Sequence, residues 1–160
     1  MTKEELKEFF KDYIPQDTPW KQNELSLKNS VLTQDIDNFL QWRVLGNTMV
    51  VGNKPYVDLE LKYLKSRSDW SRWEKAIIES AIGCPISFPN HIASSANRIH
   101  LATHLALLEA SAKIVIEDME FIFEFGGGYG CMCHLAYSLG FSGTYMIYDL
   151  QVLINFKNII

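Results

Sequence analysis

Four glycines fall within five consecutive positions, Gly126-Gly127-Gly128-Tyr129-Gly130, directly after the apolar run Phe121-Ile122-Phe123-Glu124-Phe125. The run has the length and aromatic content of a β-strand and ends at a glycine boundary. Glycine loses more backbone freedom on folding than any other residue, so such a cluster is a costly way to make a plain turn. It fits a chain that swings tightly from a strand into a helix and brings its backbone close to a ligand. The helix expected over residues 129–139 would open with free N–H groups and a positive dipole end. Gly130 would let it pack close to the strand. Glu124 stands where a carboxylate accepts hydrogen bonds or faces a cation.

A second apolar run, Thr144-Tyr145-Met146-Ile147-Tyr148, leads straight into Asp149, which lies 19 positions past Gly130. A ribose-binding acid is expected about 20 residues beyond such a glycine turn. From Phe121 onward the only charged residues are Glu124, Asp149 and Lys157, the pattern of parallel strands covered on both faces. Strand, glycine turn, helix, strand and acid in this order predict an α/β fold opening with a β-α-β unit. The dinucleotide fingerprint Gly-x-Gly-x-x-Gly is not matched, because Cys131 stands at its third glycine.

The earlier part of the chain reads differently. All five prolines lie at or before position 89, while six of the nine glycines lie between 126 and 143. The expected organisation is a mostly helical N-terminal region over 1–112 and a nucleotide-binding domain beginning over 113–160. Thr2 with Glu5 forms a capping-box pattern ahead of a helix over 3–13, and residues 15–19 form a loop. Helices are expected over 33–43, with Ile36, Phe39 and Leu40 on one face, and over 58–64, 69–81 and 91–112. A short extended piece is expected at 49–51, and another helix begins at 152–160. No repeat or low-complexity tract is present.

Composition narrows the function classes. With 160 residues and 48% hydrophobic content the chain buries a core without staples, and 21% charged residues give a net charge of −4. That balance argues against a nucleic-acid binder, which usually carries a basic patch. Three cysteines without a paired framework point to a reducing compartment. The charged start lacks the apolar core of a signal peptide, and no run reaches the roughly 20 apolar residues of a spanning helix. A cytoplasmic location without a membrane span is expected.

The Glu-x-Gly-x-Gly-x-Gly form resembles motif I of class I S-adenosylmethionine-dependent methyltransferases. More narrowly, 123–130 and the Tyr148-Asp149-Leu150 segment resemble the sugar O-methyltransferase family of bacterial surface-polysaccharide biosynthesis. In place of that family's proline after Tyr-Asp-Leu, this chain has Gln151. A helix carrying Asn97, His100 and His104 ahead of the turn also fits. The resemblance implies a Rossmann-like sheet, S-adenosyl-L-methionine as cofactor, and transfer of a methyl group to a hydroxyl of a sugar or glycan acceptor. It implies cofactor contacts from Glu124 near the methionine amino group, from Gly126, Gly127, Gly128, Tyr129 and Gly130, and from Asp149 and Leu150 at the ribose.

Such enzymes have a larger parallel sheet than 121–160 can hold, since one β-α-β unit already takes about 30 residues. An N-terminal piece of a methyltransferase is therefore expected, truncated or one half of a split protein and incomplete or inactive alone. Bare strand edges would invite self-association or a completing chain. A non-catalytic cofactor-binding remnant and an NAD(P)-dependent oxidoreductase fragment are the alternatives.

His100 and His104 are spaced i, i+4 on one helix face. They read first as the semi-polar side of a packing helix, with a general base or substrate contacts as the alternative. No carboxylate lies at matching spacing, so no metal site is expected. Cys131 and Cys133 point about 200° apart on a helix and are expected to pack as small apolar groups. Trp70 and Trp73 read as core residues, with a sugar-stacking platform as the alternative.

Overall fold

A computed structural model describes residues 1–15 and 17–157. Gln16 of the expected 15–19 loop, and 158–160 of the expected last helix, lie outside the described residues. The elements in order are α1 (Lys3–Asp12), α2 (Lys21–Thr33), a 3-10 turn (Ile36–Gln41), α3 (Arg43–Thr48), α4 (Pro55–Ser66), α5 (Trp70–Ala76), β1 (Ser87–Phe88), β2 (His91–Ser95), α6 (Ala96–Ala112), a second 3-10 turn (Ile116–Asp118), β3 (Phe121–Phe125), α7 (Cys131–Ser138), β4 (Thr144–Tyr148) and α8 (Gln151–Lys157). The architecture is mixed α/β and 57% helical, so helices rather than sheets supply most of the core. Among the described residues no helix is long and apolar enough to cross a membrane.

The chain divides into two units. The first takes Met1–Val50, Ala81–Pro85 and the stretch from Leu150 onward; the second takes Val51–Ser80 and Ile86–Asp149. The second unit thus draws α4, α5 and α6 from before position 112 as well as β3, α7 and β4.

In the first unit the capping box forms as expected. The Glu5 amide donates to Thr2 Oγ1 at 3.1 Å and the Thr2 amide to Glu5 Oε2 at 2.7 Å. Helix α2 is unexpected from sequence, because its polar residues are spread around it and no side chain caps its start. The helix expected over 33–43 is replaced by the 3-10 turn. The Leu40 amide donates to the Gly83 carbonyl at 3.0 Å rather than to its own helix, and Asn38 leaves helical geometry. Gly83, at φ +77°, has no room for a side chain: a Cβ would lie 2.3 Å from the Phe39 ring. Ile36, Phe39 and Leu40 are nonetheless all buried. The 49–51 piece forms no strand.

In the second unit α4 presents Val57, Leu61 and Leu64, a helical stripe, to a core that includes Ile99, Ala102 and Ala106 of α6. Each such buried side chain contributes about 2 kcal/mol relative to exposure, and the alanines allow close helix approach. Trp73 is fully buried in this core, which removes it as a stacking platform, and the partly buried Trp70 packs against it. The helix expected over 69–81 stops at Ala76. The following backbone is held instead by the β1–β2 hairpin, where the Glu79 amide donates to the Ala93 carbonyl at 2.8 Å and Ser94 Oγ to Ile77 O. The helix expected from residue 91 begins only at Ala96, since His91–Ser95 pairs antiparallel with Ser87–Phe88 and Ser95 Oγ caps α6 by accepting from the Arg98 amide.

Strands β3 and β4 run parallel in register, Phe121 opposite Thr144 through Phe125 opposite Tyr148, with α7 between them in sequence. The expected β-α-β unit is present, but its sheet has two strands. The expectation of cover on both faces is corrected. Ile122 and Tyr145 pack against the core, while Phe121, Phe123, Phe125, Met146 and Tyr148 on the other face are exposed.

Candidate functional site

The glycine turn begins where β3 ends. The Gly126 amide donates to the Tyr148 carbonyl at 2.9 Å, and the Gly130 amide closes the turn onto the Gly127 carbonyl at 2.8 Å. Asp149 follows Tyr148 directly, so the parallel register brings the acid and the turn to the same end of the two strands. Gly126, Gly128 and Gly130 all have positive φ, at 77°, 52° and 92°, a conformation that L side chains resist.

Two of the glycines have different surroundings. A Cβ on Gly126 would meet nothing within 4 Å, so only its backbone conformation demands glycine. A Cβ on Gly127 would lie 2.8 Å from Ile147 Cγ2 and 2.9 Å from Glu124 Oε2. Gly127 therefore marks a close approach of the turn to the strands, with the Glu124 carboxylate beneath it. Glu124 Oε2 accepts a hydrogen bond from the Tyr145 hydroxyl at 2.9 Å. Burial, reinforced by the Glu124 charge, pushes the Tyr145 phenol well above its usual range, so it stays a donor.

Tyr129 is anchored from α6. Asn97, 3% exposed, donates through Nδ2 to the Tyr129 hydroxyl at 2.7 Å and accepts the Val51 amide on Oδ1 at 2.9 Å. Burial pushes the Tyr129 phenol strongly upward, helped by Cys131 beside it. Gly130, at the N-cap of α7, contributes no side-chain hydrogen bond to that helix. Cys131 is buried, as expected for a small apolar residue, and Cys133 half-buried.

Next to Asn97, Arg98 is 1% exposed. Its Nε and Nη2 donate to the Ala76 carbonyl at 3.1 and 2.7 Å, and Nη2 also donates to Ser138 Oγ at 2.9 Å. Nη1 lies 2.8 Å from His134 Nδ1. A guanidinium has only donors, so Nδ1 accepts and the imidazole is neutral. Burial, and then the Arg98 charge, hold His134 below its usual range. Arg98 thus places a cation at the C-terminal end of α5 and joins it to α6 and α7.

His100 and His104 share a face of α6 with ring centroids 4.2 Å apart. The structure adds what spacing on one helix could not show: Glu60 of α4 meets them, with Oε1 2.7 Å from His100 Nδ1. Burial lowers the His104 pKa, with His100 adding to the shift. Leu150 belongs to the first unit, where it lines a shallow apolar depression with Trp20, Leu27, Val44 and Met49.

No family model matches this chain, and no curated protein or solved structure matches it.

The residues at the turn fit an adenosyl cofactor in three respects. Gly126 leaves open space over a backbone that turns toward α7, the N-cap of α7 is a glycine, and a carboxylate stands at the end of the neighbouring strand. Glu124 is engaged by the Tyr145 hydroxyl through Oε2.

Proposed function

We propose that this protein binds S-adenosylmethionine at the 126–130 turn as part of an O-methyltransferase on a Rossmann-like sheet. The observation that carries the reading is the parallel β3–α7–β4 unit, in which the positive-φ glycine turn and Asp149 meet at one end of the strands. In this reading the turn's backbone borders the methionine and ribose portions. The Asp149 carboxylate accepts from the ribose hydroxyls, and Glu124 faces the methionine amino group. Tyr129, tied to Asn97, fixes the course of the turn. Bound there, the cofactor would supply an electrophilic methyl group on a sulfonium, which leaves as the neutral thioether when the methyl passes to an acceptor hydroxyl.

A sugar or glycan hydroxyl as acceptor, and a place in polysaccharide biosynthesis, rest on the resemblance of 123–130 and 148–150. A reducing, cytoplasmic location rests on the odd count of three cysteines in the sequence, without a paired framework. The apolar face of Phe121, Phe123, Phe125, Met146 and Tyr148 supports a further protein layer over this sheet in the active assembly.

Calorimetric titration of the chain with S-adenosylhomocysteine and, separately, with NAD distinguishes the methyltransferase reading from that of an oxidoreductase. Saturable heat with the first ligand alone is expected. Saturable heat with NAD alone overturns the reading.

A further inference from the structure

We propose that Glu60, His100 and His104 form a binding site for a divalent transition cation of the zinc type, which clips α4 to α6. One ligand atom from each residue lies within 4.8 Å of the other two. Two imidazoles at i, i+4 on one helix with a carboxylate from a neighbour make an N2O donor set, which suits zinc and its neighbours rather than calcium or magnesium.

Ligand atoms about 2.0–2.1 Å from a tetrahedral ion lie about 3.4 Å apart. The outermost spacing must therefore close by up to about 1.4 Å, and the 2.7 Å contact between His100 Nδ1 and Glu60 Oε1 must open by about 0.7 Å or give way to the other ring nitrogen or oxygen. His104, the one exposed member, is free to supply that movement by side-chain rotation. Glu60 and His100 are already in contact, with side chains 17% and 21% exposed. The Tyr56 ring lies against His100 at 5.7 Å between centroids.

A second observation points to a ligand. Glu60 Oε2 is buried and has no hydrogen-bond partner. A buried carboxylate oxygen left unsatisfied is costly, and a cation bound by this carboxylate would offset that cost. With three protein ligands and His104 at the surface, the remaining position is open to water, and the ion has a path of entry. The site does not depend on the nucleoside reading, since none of its three residues belongs to the glycine turn.

The test is titration of the full chain with Zn2+ by calorimetry and with Co2+ by visible absorption, for wild type, Glu60→Gln and His104→Ala. His104→Ala keeps the Glu60–His100 contact, and circular dichroism checks that both variants fold. The expected result is one equivalent bound by wild type, a rise of several degrees in melting temperature with Zn2+, and at least tenfold weaker binding in both variants. The cobalt spectrum should show tetrahedral or five-coordinate bands without a thiolate charge-transfer band. Absence of saturable binding by wild type would overturn the proposal and leave a Glu60–His100 pair alone. Variant affinities within twofold of wild type, or a thiolate band placing the ion on cysteine, would also overturn it.

Discussion

Asn97 Nδ2 donates to the Tyr129 hydroxyl at 2.7 Å while Asn97 Oδ1 accepts the Val51 amide at 2.9 Å. One buried amide thus ties the glycine turn to the start of α6 and to the chain entering the second unit. Asn97→Ala leaves two polar groups short of a partner and is expected to cost about 2 kcal/mol. Urea unfolding checks this, and Tyr129→Phe, which keeps the ring, is expected to cost about 1 kcal/mol.

Arg98 is a buried cation satisfied by the Ala76 carbonyl, Ser138 and His134. Arg98→Met keeps the aliphatic stem but strips those acceptors of their donor. A loss of about 3 kcal/mol is expected. Arg98→Lys is expected to recover only part of it, since an ammonium cannot span three acceptors in one plane.

Stability should fall as pH drops through the imidazole range. Burial holds the folded-state pKa of His91, His104 and His134 below the unfolded value. The unfolded chain therefore binds more protons in that window. The contribution is fully present above the unfolded pKa of about 6.5 and is lost as pH falls through the folded values. Melting temperature should be lower at pH 5 than at pH 7.5. His134→Gln, which keeps an acceptor for Arg98, should flatten the slope.

Gly126 of the turn and Gly143, just ahead of β4, should separate by mechanism. Gly126→Ala meets open space and is expected to cost about 1 kcal/mol for its positive φ alone. Gly143→Ala drives a Cβ to 2.2 Å from the Glu120 carbonyl oxygen, a backbone contact that cannot rotate away, and should cost more than 3 kcal/mol, in the range of overpacked sites. Thermal melts of the two variants check the order.

On the sheet face that points away from the core, Phe125 is 78% exposed and stacks on Tyr148. Phe125→Ser should change stability by less than about 1 kcal/mol while reducing binding of a hydrophobic dye. A large loss of stability would show that this face is structurally required within the chain.

Local chemistry was legible in the sequence and tertiary diversion was not. Thr2 and Glu5 announce α1 because both partners lie within one turn. Phe121–Phe125 and Thr144–Tyr148 form strands over the residues expected, because their apolar character and glycine boundaries act locally. The 33–43 helix failed because Gly83, far along the chain, accepts the Leu40 amide. The start of α6 shifted because His91–Ser95 found a strand partner. Glu60 was invisible as a partner of His100, since 40 residues separate them and only the packing of α4 on α6 joins them. The buried role of Arg98 left no sequence signal at all, for a charged residue early in a helix ordinarily faces solvent.

The central claim is that Asp149 and the glycine turn form one nucleoside site. The most direct measurement is the dissociation constant of S-adenosylhomocysteine for wild type, Asp149→Ala and Gly128→Val by calorimetry. The account predicts saturable one-to-one binding by wild type and at least a tenfold loss in Asp149→Ala, with no detectable binding by Gly128→Val. Equal affinity in all three proteins, or no binding by wild type, would contradict it.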